Sequence, residues 1–179
     1  VIGILGGGQL GRMLSVAAAR LGFVCHIFEP GANPPAGQVA AKVTTADYDD
    51  LRALRKFAEA VDVITYECEN IPTEALDVLE DMRPVRPGRE ALRVSQDRLT
   101  EKTFLQALGL RTAPFADVPD LAALTAAMSD IGVPAILKSR RFGYDGKGQV
   151  RLGADSDPKQ ALAEMGGAAA ILEGFVDFE

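Results

Sequence analysis

Val1-Ile2-Gly3-Ile4-Leu5-Gly6-Gly7-Gly8-Gln9-Leu10-Gly11 runs from an apolar segment through three glycines into a stretch with apolar residues at helical spacing. A short apolar run, a glycine turn and a helix form the opening unit of an open α/β sheet. Gly6, Gly8 and Gly11 satisfy the spacing G-x-G-x-x-G, and Glu29 stands just past the next apolar run. This is the fingerprint of dinucleotide-binding folds. Its physics is broader than that label. Glycines let the backbone approach a ligand, and a helix N-terminus offers free N–H groups and partial positive charge. The loop therefore points to a phosphate or a ribose more strongly than to NAD, with a ligand-free tight turn as the bland alternative. Glu29 either accepts from a ribose diol or begins a loop. Arg12 either helps hold an anion or is a solvated helix charge.

Outward from this loop, strands are expected over 1–5, 24–28, 42–44 and 61–66, with helices over 9–21, 49–60 and 73–82. Thr73 reads as an N-cap. Residues 31–37, rich in Pro and Gly, read as a loop. Alternating strands and helices imply a mostly parallel sheet covered on both faces. The pattern changes after Pro84. A helix over 95–108 ends at Gly109. Strands over 115–118, 135–138, 150–152 and 169–173 and helices over 121–131 and 158–165 then make a small α+β unit. The expected division is 1–94 and 95–179.

Two places carry chemistry besides the first loop. Tyr66-Glu67-Cys68-Glu69-Asn70-Ile71-Pro72 follows a strand, and ligands of open parallel sheets lie beyond the carboxyl ends of strands. Glu67 and Glu69 are two residues apart, so an extended backbone sends both the same way, toward the first loop. Glu69 is favoured to meet an amine or a ribose. The alternative is a solvated loop capping the next helix. The second place is Lys138-Ser139-Arg140-Arg141-Phe142-Gly143-Tyr144-Asp145-Gly146-Lys147-Gly148-Gln149. Lys138 ends an apolar strand, and a basic glycine loop beside it suits a triphosphate. The spacing is not that of a Walker loop. A basic surface hairpin is the alternative. A hydride-transferring enzyme has no use for this second loop, which moves the reading from NAD to ATP.

Composition removes other classes. A net charge of −6 and 6% aromatics argue against nucleic acid as the main partner. No apolar run reaches the roughly 18 residues that span a bilayer, and no signal peptide is visible. No membrane partner and a cytoplasmic setting are expected. Cys25 and Cys68 have no metal-ligand spacing and read as reduced core residues in strands. His26, the sole histidine, reads as structural.

The chain resembles the 5-(carboxyamino)imidazole ribonucleotide synthase family of ATP-grasp ligases. The resemblance rests on residues 3–13, 65–72, 96–102, 111–115 and 143–149, in order along nearly the whole chain. It implies an α/β fold: a Rossmann-like parallel-sheet pre-ATP-grasp domain, then a small α+β lid subdomain, with the C-terminal ATP-grasp part absent. It implies that Arg98 and Lys138 contact phosphates, that Gly143, Tyr144, Asp145, Gly146, Lys147, Gly148 and Gln149 cover the triphosphate, and that Glu173, Gly174, Phe175 and Val176 meet adenine and ribose. Gly8, Gln9, Leu10, Tyr66, Glu67 and Glu69 would hold aminoimidazole ribonucleotide. ATP, bicarbonate and Mg2+ are the implied co-reactants, with the metal ligands outside this chain, and the implied assembly is a homodimer. Cys68 stands where the family commonly has Phe. The start at Val1 inside a strand and the stop at Glu179 read as those of a fragment, expected not to catalyse alone. An NAD(P)-dependent oxidoreductase, a non-catalytic nucleotide-binding module and another ATP-grasp ligase are the competing readings.

Overall fold

The computed structural model describes residues 1–143 and 146–177. The chain divides into two compact units, Val1–Arg93 and Val94–Glu179.

In the first unit, β1 (Ile2–Leu5), β2 (Cys25–Phe28), β3 (Lys42–Thr44) and β4 (Val63–Tyr66) form one parallel sheet in the order β3-β2-β1-β4. The central β1 aligns Leu5 with Phe28 on one side and with Tyr66 on the other. Both neighbours thus end level with the glycine loop. Strand alternation supplies two apolar faces. Leu5, Phe28 and Ile64 pack with Leu54 and Phe57 of α2 (Leu51–Glu59) and Leu76 and Leu79 of α3 (Thr73–Glu80). Ile4, Cys25 and Ile27 form the opposite cluster with Ala18 of α1 (Gln9–Arg20) and Ala36 of a short 3-10 turn at Pro35–Gln38. The doubly covered parallel sheet is as the alternation implies.

Three local features differ from the sequence expectation. The side of α1 that turns to the sheet carries small residues, with Gly11 and Ser15 buried, while Leu10, Met13 and Leu14 are exposed. The cause is close approach: a Cβ on Gly11 would stand 2.8 Å from the Gly6 carbonyl oxygen. Pro72 is the N-cap of α3, with no side-chain cap, and Thr73 is its first residue. Cys68 lies just past β4 and packs, half-buried, against the first apolar cluster.

A short helix, α4 (Arg89–Ser95), for which no element was expected, precedes α5 (Arg98–Ala107), which begins three residues after the expected start of the 95–108 helix. That start is set by an N-cap: Asp97 Oδ1 accepts from the N–H groups of Leu99 and Thr100. In the second unit β5 (Phe115–Val118), β6 (Ala135–Ser139), β7 (Gln149–Leu152) and β8 (Ala170–Gly174) form an antiparallel sheet in the order β5-β8-β6-β7. Ala135, Leu137 and Leu172 pack against Leu124 and Ala127 of α6 (Leu121–Ile131) and Ala161 of α7 (Pro158–Glu164). Alternation sends Ile136, Lys138 and Glu173 to the other face.

His26 in β2 shows how the first core titrates. It is 2% exposed, its Nε2 pairs with Thr44 Oγ1 at 2.8 Å, and its Nδ1 has no partner among the described residues. Burial, helped by the charge of Lys42, lowers its pKa from 6.5 to about 4. The neutral form is therefore the folded form, and between those two values the unfolded chain binds more protons. Stability should fall as pH drops from 6.5 toward 4. Urea midpoints measured across that range should slope less for His26→Gln than for the parent; equal slopes would remove His26 as the cause.

Candidate functional site

The first glycine loop is already occupied by the chain's own carboxylates. Glu67, at the end of β4, accepts from Gly8 N–H through Oε1 at 2.9 Å and from Gly11 N–H through Oε2 at 3.0 Å. Glu29, at the end of β2, accepts from Gly7 N–H at 2.8 Å and Gly31 N–H at 2.9 Å. The glycines are explained by the same two side chains. A Cβ on Gly6, at φ +96°, would lie 2.4 Å from Glu67 Cγ, and one on Gly8 would lie 2.8 Å from Glu67 Oε1. A Cβ on Gly7 would meet Pro34 at 2.5 Å and Glu29 at 3.0 Å. The N–H groups that would cradle a pyrophosphate are spent on two fixed anions, and a third negative group there would meet repulsion. Glu29 therefore does more than begin a loop. Arg12 is tied to Gln38 Oε1 at 2.9 Å, outside this arrangement.

What the loop offers a ligand is an acceptor. Leu10, Tyr66 and Glu67 line one open groove with Met13, Leu14 and Ala17. Gly8 is half-buried and Gln9 exposed beside it. Glu69 lies half-buried in the connection after β4. Of the two carboxylates expected to reach the loop, Glu67 does so. The phenol of Tyr48 is kept protonated: burial raises its pKa, and Glu29, Cys68 and Glu67 push the same way. Burial likewise raises the Cys68 thiol, which removes it as a nucleophile at neutral pH.

The second unit is built with the opposite sign. Lys138, on the face of β6 away from the apolar core, donates to Glu173 Oε2 at 3.0 Å. Lys102 of α5 reaches the same oxygen at 3.3 Å and lies over the Phe115 ring, 5.8 Å from its centroid. Arg98, one turn before Lys102, donates to the carbonyls of Ser139 at 2.7 Å and Gly143 at 2.8 Å. It thereby ties the start and the middle of the glycine loop to α5. Five guanidinium N–H groups leave it further donors. Ser139 N–H donates to Gly148 O at 2.8 Å, and a Cβ on Gly148 would come within 2.6 Å of Ser139 Oγ. Gly146 and Gly148 have positive φ, so both positions demand glycine. Lys147 is exposed on this loop, and Gln149 pairs in register with Lys138. Tyr144 and Asp145 lie outside the described residues. Gly174 N–H and Phe175 N–H donate to the carbonyls of Pro114 and Pro134. Val176 is half exposed at the end of this segment.

Arg140 forks onto Asp97 with contacts of 3.0 and 2.7 Å to Oδ2 and also reaches Asp117 at 3.3 Å. Burial alone would raise the Asp97 pKa, but the hydrogen bonds from Arg140 and from the α5 N–H groups prevail and lower it. Sequence reasoning missed Lys102 and Asp97. The signal for Asp97 was an acidic residue at the start of a helix. Lys102 was legible only as a residue four after Arg98, on the same helix face. Among the described residues no group of three His, Cys, Asp or Glu could hold a metal ion, and no helix is long and apolar enough to cross a membrane.

An antiparallel sheet that sets a lysine beside a buried carboxylate, under a basic glycine loop, is suited to a nucleoside polyphosphate. A parallel α/β sheet before it in the chain is the arrangement of the ATP-grasp ligases. Comparison with known proteins makes this specific. Residues 1–96 match the ribonucleotide synthetase preATP-grasp domain, and residues 103–179 match the ATP-grasp domain. The chain belongs to the ribonucleotide synthetase preATP-grasp family. It is 53% identical over 180 residues to the N5-carboxyaminoimidazole ribonucleotide synthase of Brucella melitensis, covering 99% of the chain and 50% of that relative. An N5-carboxyaminoimidazole ribonucleotide synthetase solved with ADP superposes with a TM-score of 0.92 at 42% identity, over 99% of this chain and 47% of that one. The Aspergillus clavatus enzyme, solved with ADP and 5-aminoimidazole ribonucleotide, gives 0.87 at 29% identity, over 99% and 47%. The chain spans about half the length of the curated synthases it matches.

Glu67→Ala should strip the acceptor from two partly buried N–H groups. An unsatisfied buried donor costs about 1–3 kcal/mol, so urea unfolding should show a loss of that order. Inorganic phosphate should restore part of it in the variant and leave the parent unchanged. An unaltered midpoint in the variant would mean the carboxylate does not hold the loop.

Proposed function

We propose that the protein containing this chain carboxylates 5-aminoimidazole ribonucleotide with ATP and bicarbonate, in purine biosynthesis. The observation that carries the reading is the contrast of the two glycine loops. The one filled by Glu29 and Glu67 suits the amine and hydroxyls of a ribonucleotide. The one bordered by Arg98, Lys138 and Lys147 suits a triphosphate. The solved relatives with ADP, and with ADP and the ribonucleotide, support the same pairing of ligands.

In the proposed reaction a bicarbonate oxygen takes the γ-phosphoryl group of ATP, giving carboxyphosphate and ADP. The exocyclic amine then attacks the carboxyl carbon, loses a proton, and phosphate leaves. Little covalent work falls to the protein; positioning and charge stabilisation do most of it. Lys138 and Arg98 offset phosphate charge. Gly143 and residues 146–149 cover the triphosphate, and Glu173, Gly174, Phe175 and Val176 border adenine and ribose. Gly8, Gln9, Leu10, Tyr66, Glu67 and Glu69 hold the ribonucleotide. Water must be kept out because carboxyphosphate hydrolyses. Magnesium, which would screen charge on the phosphates, finds no carboxylate set among the described residues, and none of these roles depends on one. A homodimer is what the family resemblance implies, and a cytoplasmic setting is the default for a sequence with no visible signal peptide.

The test is phosphate release from ATP by the full-length protein in bicarbonate and magnesium, with and without the ribonucleotide. Release should require the ribonucleotide, and release without it would point to another ATP-grasp substrate. Lys138→Ala should raise the KM for ATP roughly 10- to 100-fold, the equivalent of one charged hydrogen bond at about 1.5–3 kcal/mol. Its KM for the ribonucleotide should barely change. Equal loss for both substrates would show the sites to be wrongly divided.

A further inference from the structure

The buried carboxylate of Glu173 holds two ammonium groups on a single oxygen. Its side chain is 8% exposed, that of Lys102 16% and that of Lys138 24%. Two strand residues and one helix residue meet there. Lys138 sits on β6 and Glu173 on the adjacent β8, on the same sheet face. Lys102 reaches in from α5 across the Phe115 ring, which faces Glu173 in the β5–β8 register. One carboxylate and two lysines leave an excess positive charge in a confined place. Such an excess is costly unless an anion joins it.

A lysine that is to serve a nucleotide phosphate must loosen its hold on Glu173. A carboxylate this buried, left without a cation, would be strongly destabilised. Lys102 removes that difficulty, because it already sits on the same oxygen. It also repels the Lys138 ammonium, which weakens the grip of Glu173 on Lys138. We propose that Lys102 is a positioning residue of the nucleotide site: it is the standing counter-ion of Glu173, and it frees Lys138 to bind the phosphates of a nucleoside triphosphate. Lys102 acts through Glu173 and touches no phosphate itself. The inference rests on the second unit being the ATP site of the proposed ligase.

The experiment is a double-mutant cycle in the full-length protein, read as the Kd for ATP and as KM and kcat in the carboxylation assay. Lys102→Met should raise the Kd for ATP about tenfold, about 1.4 kcal/mol, and raise KM far more than it lowers kcat. Lys102→Arg, which keeps the charge, should recover most of the affinity. In a Glu173→Gln background the carboxylate charge is gone, and Lys102→Met should then change Kd less than about twofold. Thermal melting of each variant confirms that it is folded, and Lys102→Arg keeps the test open if Lys102→Met does not fold. An equal penalty in both backgrounds would overturn the inference and make Lys102 a direct phosphate ligand. Unchanged affinity in Lys102→Met would overturn it as well. Absence of ATP binding by the parent protein would instead sink the ligase reading, and this inference with it.

Discussion

Two backbone N–H groups, those of Gly8 and Gly11, point at the carboxylate of Glu67, and much of the first unit is arranged around that contact. A helix N-terminus at the edge of a parallel sheet carries partial positive charge and unsatisfied donors, so something must satisfy them. Here the chain does it, with a side chain from the strand beside β1. The consequences reach outward. Gly6 and Gly8 must lack a Cβ because Glu67 fills the space. Gly11 must lack one because α1 starts so close to Gly6. The small-residue side of α1 then seats on the sheet, and its larger apolar residues face outward along the groove that Tyr66 and Glu67 share.

The second unit solves a related problem with the signs reversed. Its sheet has one apolar face and one face that carries Lys138 and Glu173, a division that follows from strand alternation alone. Charges on the second face need partners, and α5 supplies them by i, i+4 spacing: Arg98 for the loop carbonyls and Lys102 for Glu173. Asp97 fixes where that helix begins, by capping it and by holding Arg140. A capping residue thus sets the position of two cations that serve the loop and the carboxylate.

Much of this was legible in the sequence, and the failures have physical causes. The four parallel strands and the antiparallel strands of the second unit are short apolar runs bounded by turn residues, and they stand where periodicity puts them. The start of the expected 95–108 helix was placed three residues early because Asp97 is an ordinary helix residue unless its cap geometry is known. The glycine fingerprint was read for the ligand it could cradle. Nothing in a linear pattern tells that Glu67, 56 residues beyond Gly11, supplies the anion. Periodicity did place Glu67 and Glu69 on one side of an extended segment, and the fold brings Glu67 to the loop. Lys102 escaped for a similar reason. A lysine on a helix is normally a solvated charge, and its partner Glu173 lies on the last strand of the sheet.

The two loops together carry a lesson about the fingerprint itself. G-x-G-x-x-G states that a backbone turn is open enough for an anion to approach; it does not state whose anion. When the anion is external, the loop binds phosphate and the fold takes a dinucleotide. When the anion is a fixed glutamate, as Glu67 is here, the N–H groups of the turn are already satisfied from within the chain. The glutamate in the first loop and the lysines around Glu173 in the second unit are in that sense two separate cases of one requirement, that donors and charges at the end or on the face of a sheet find partners within their own unit.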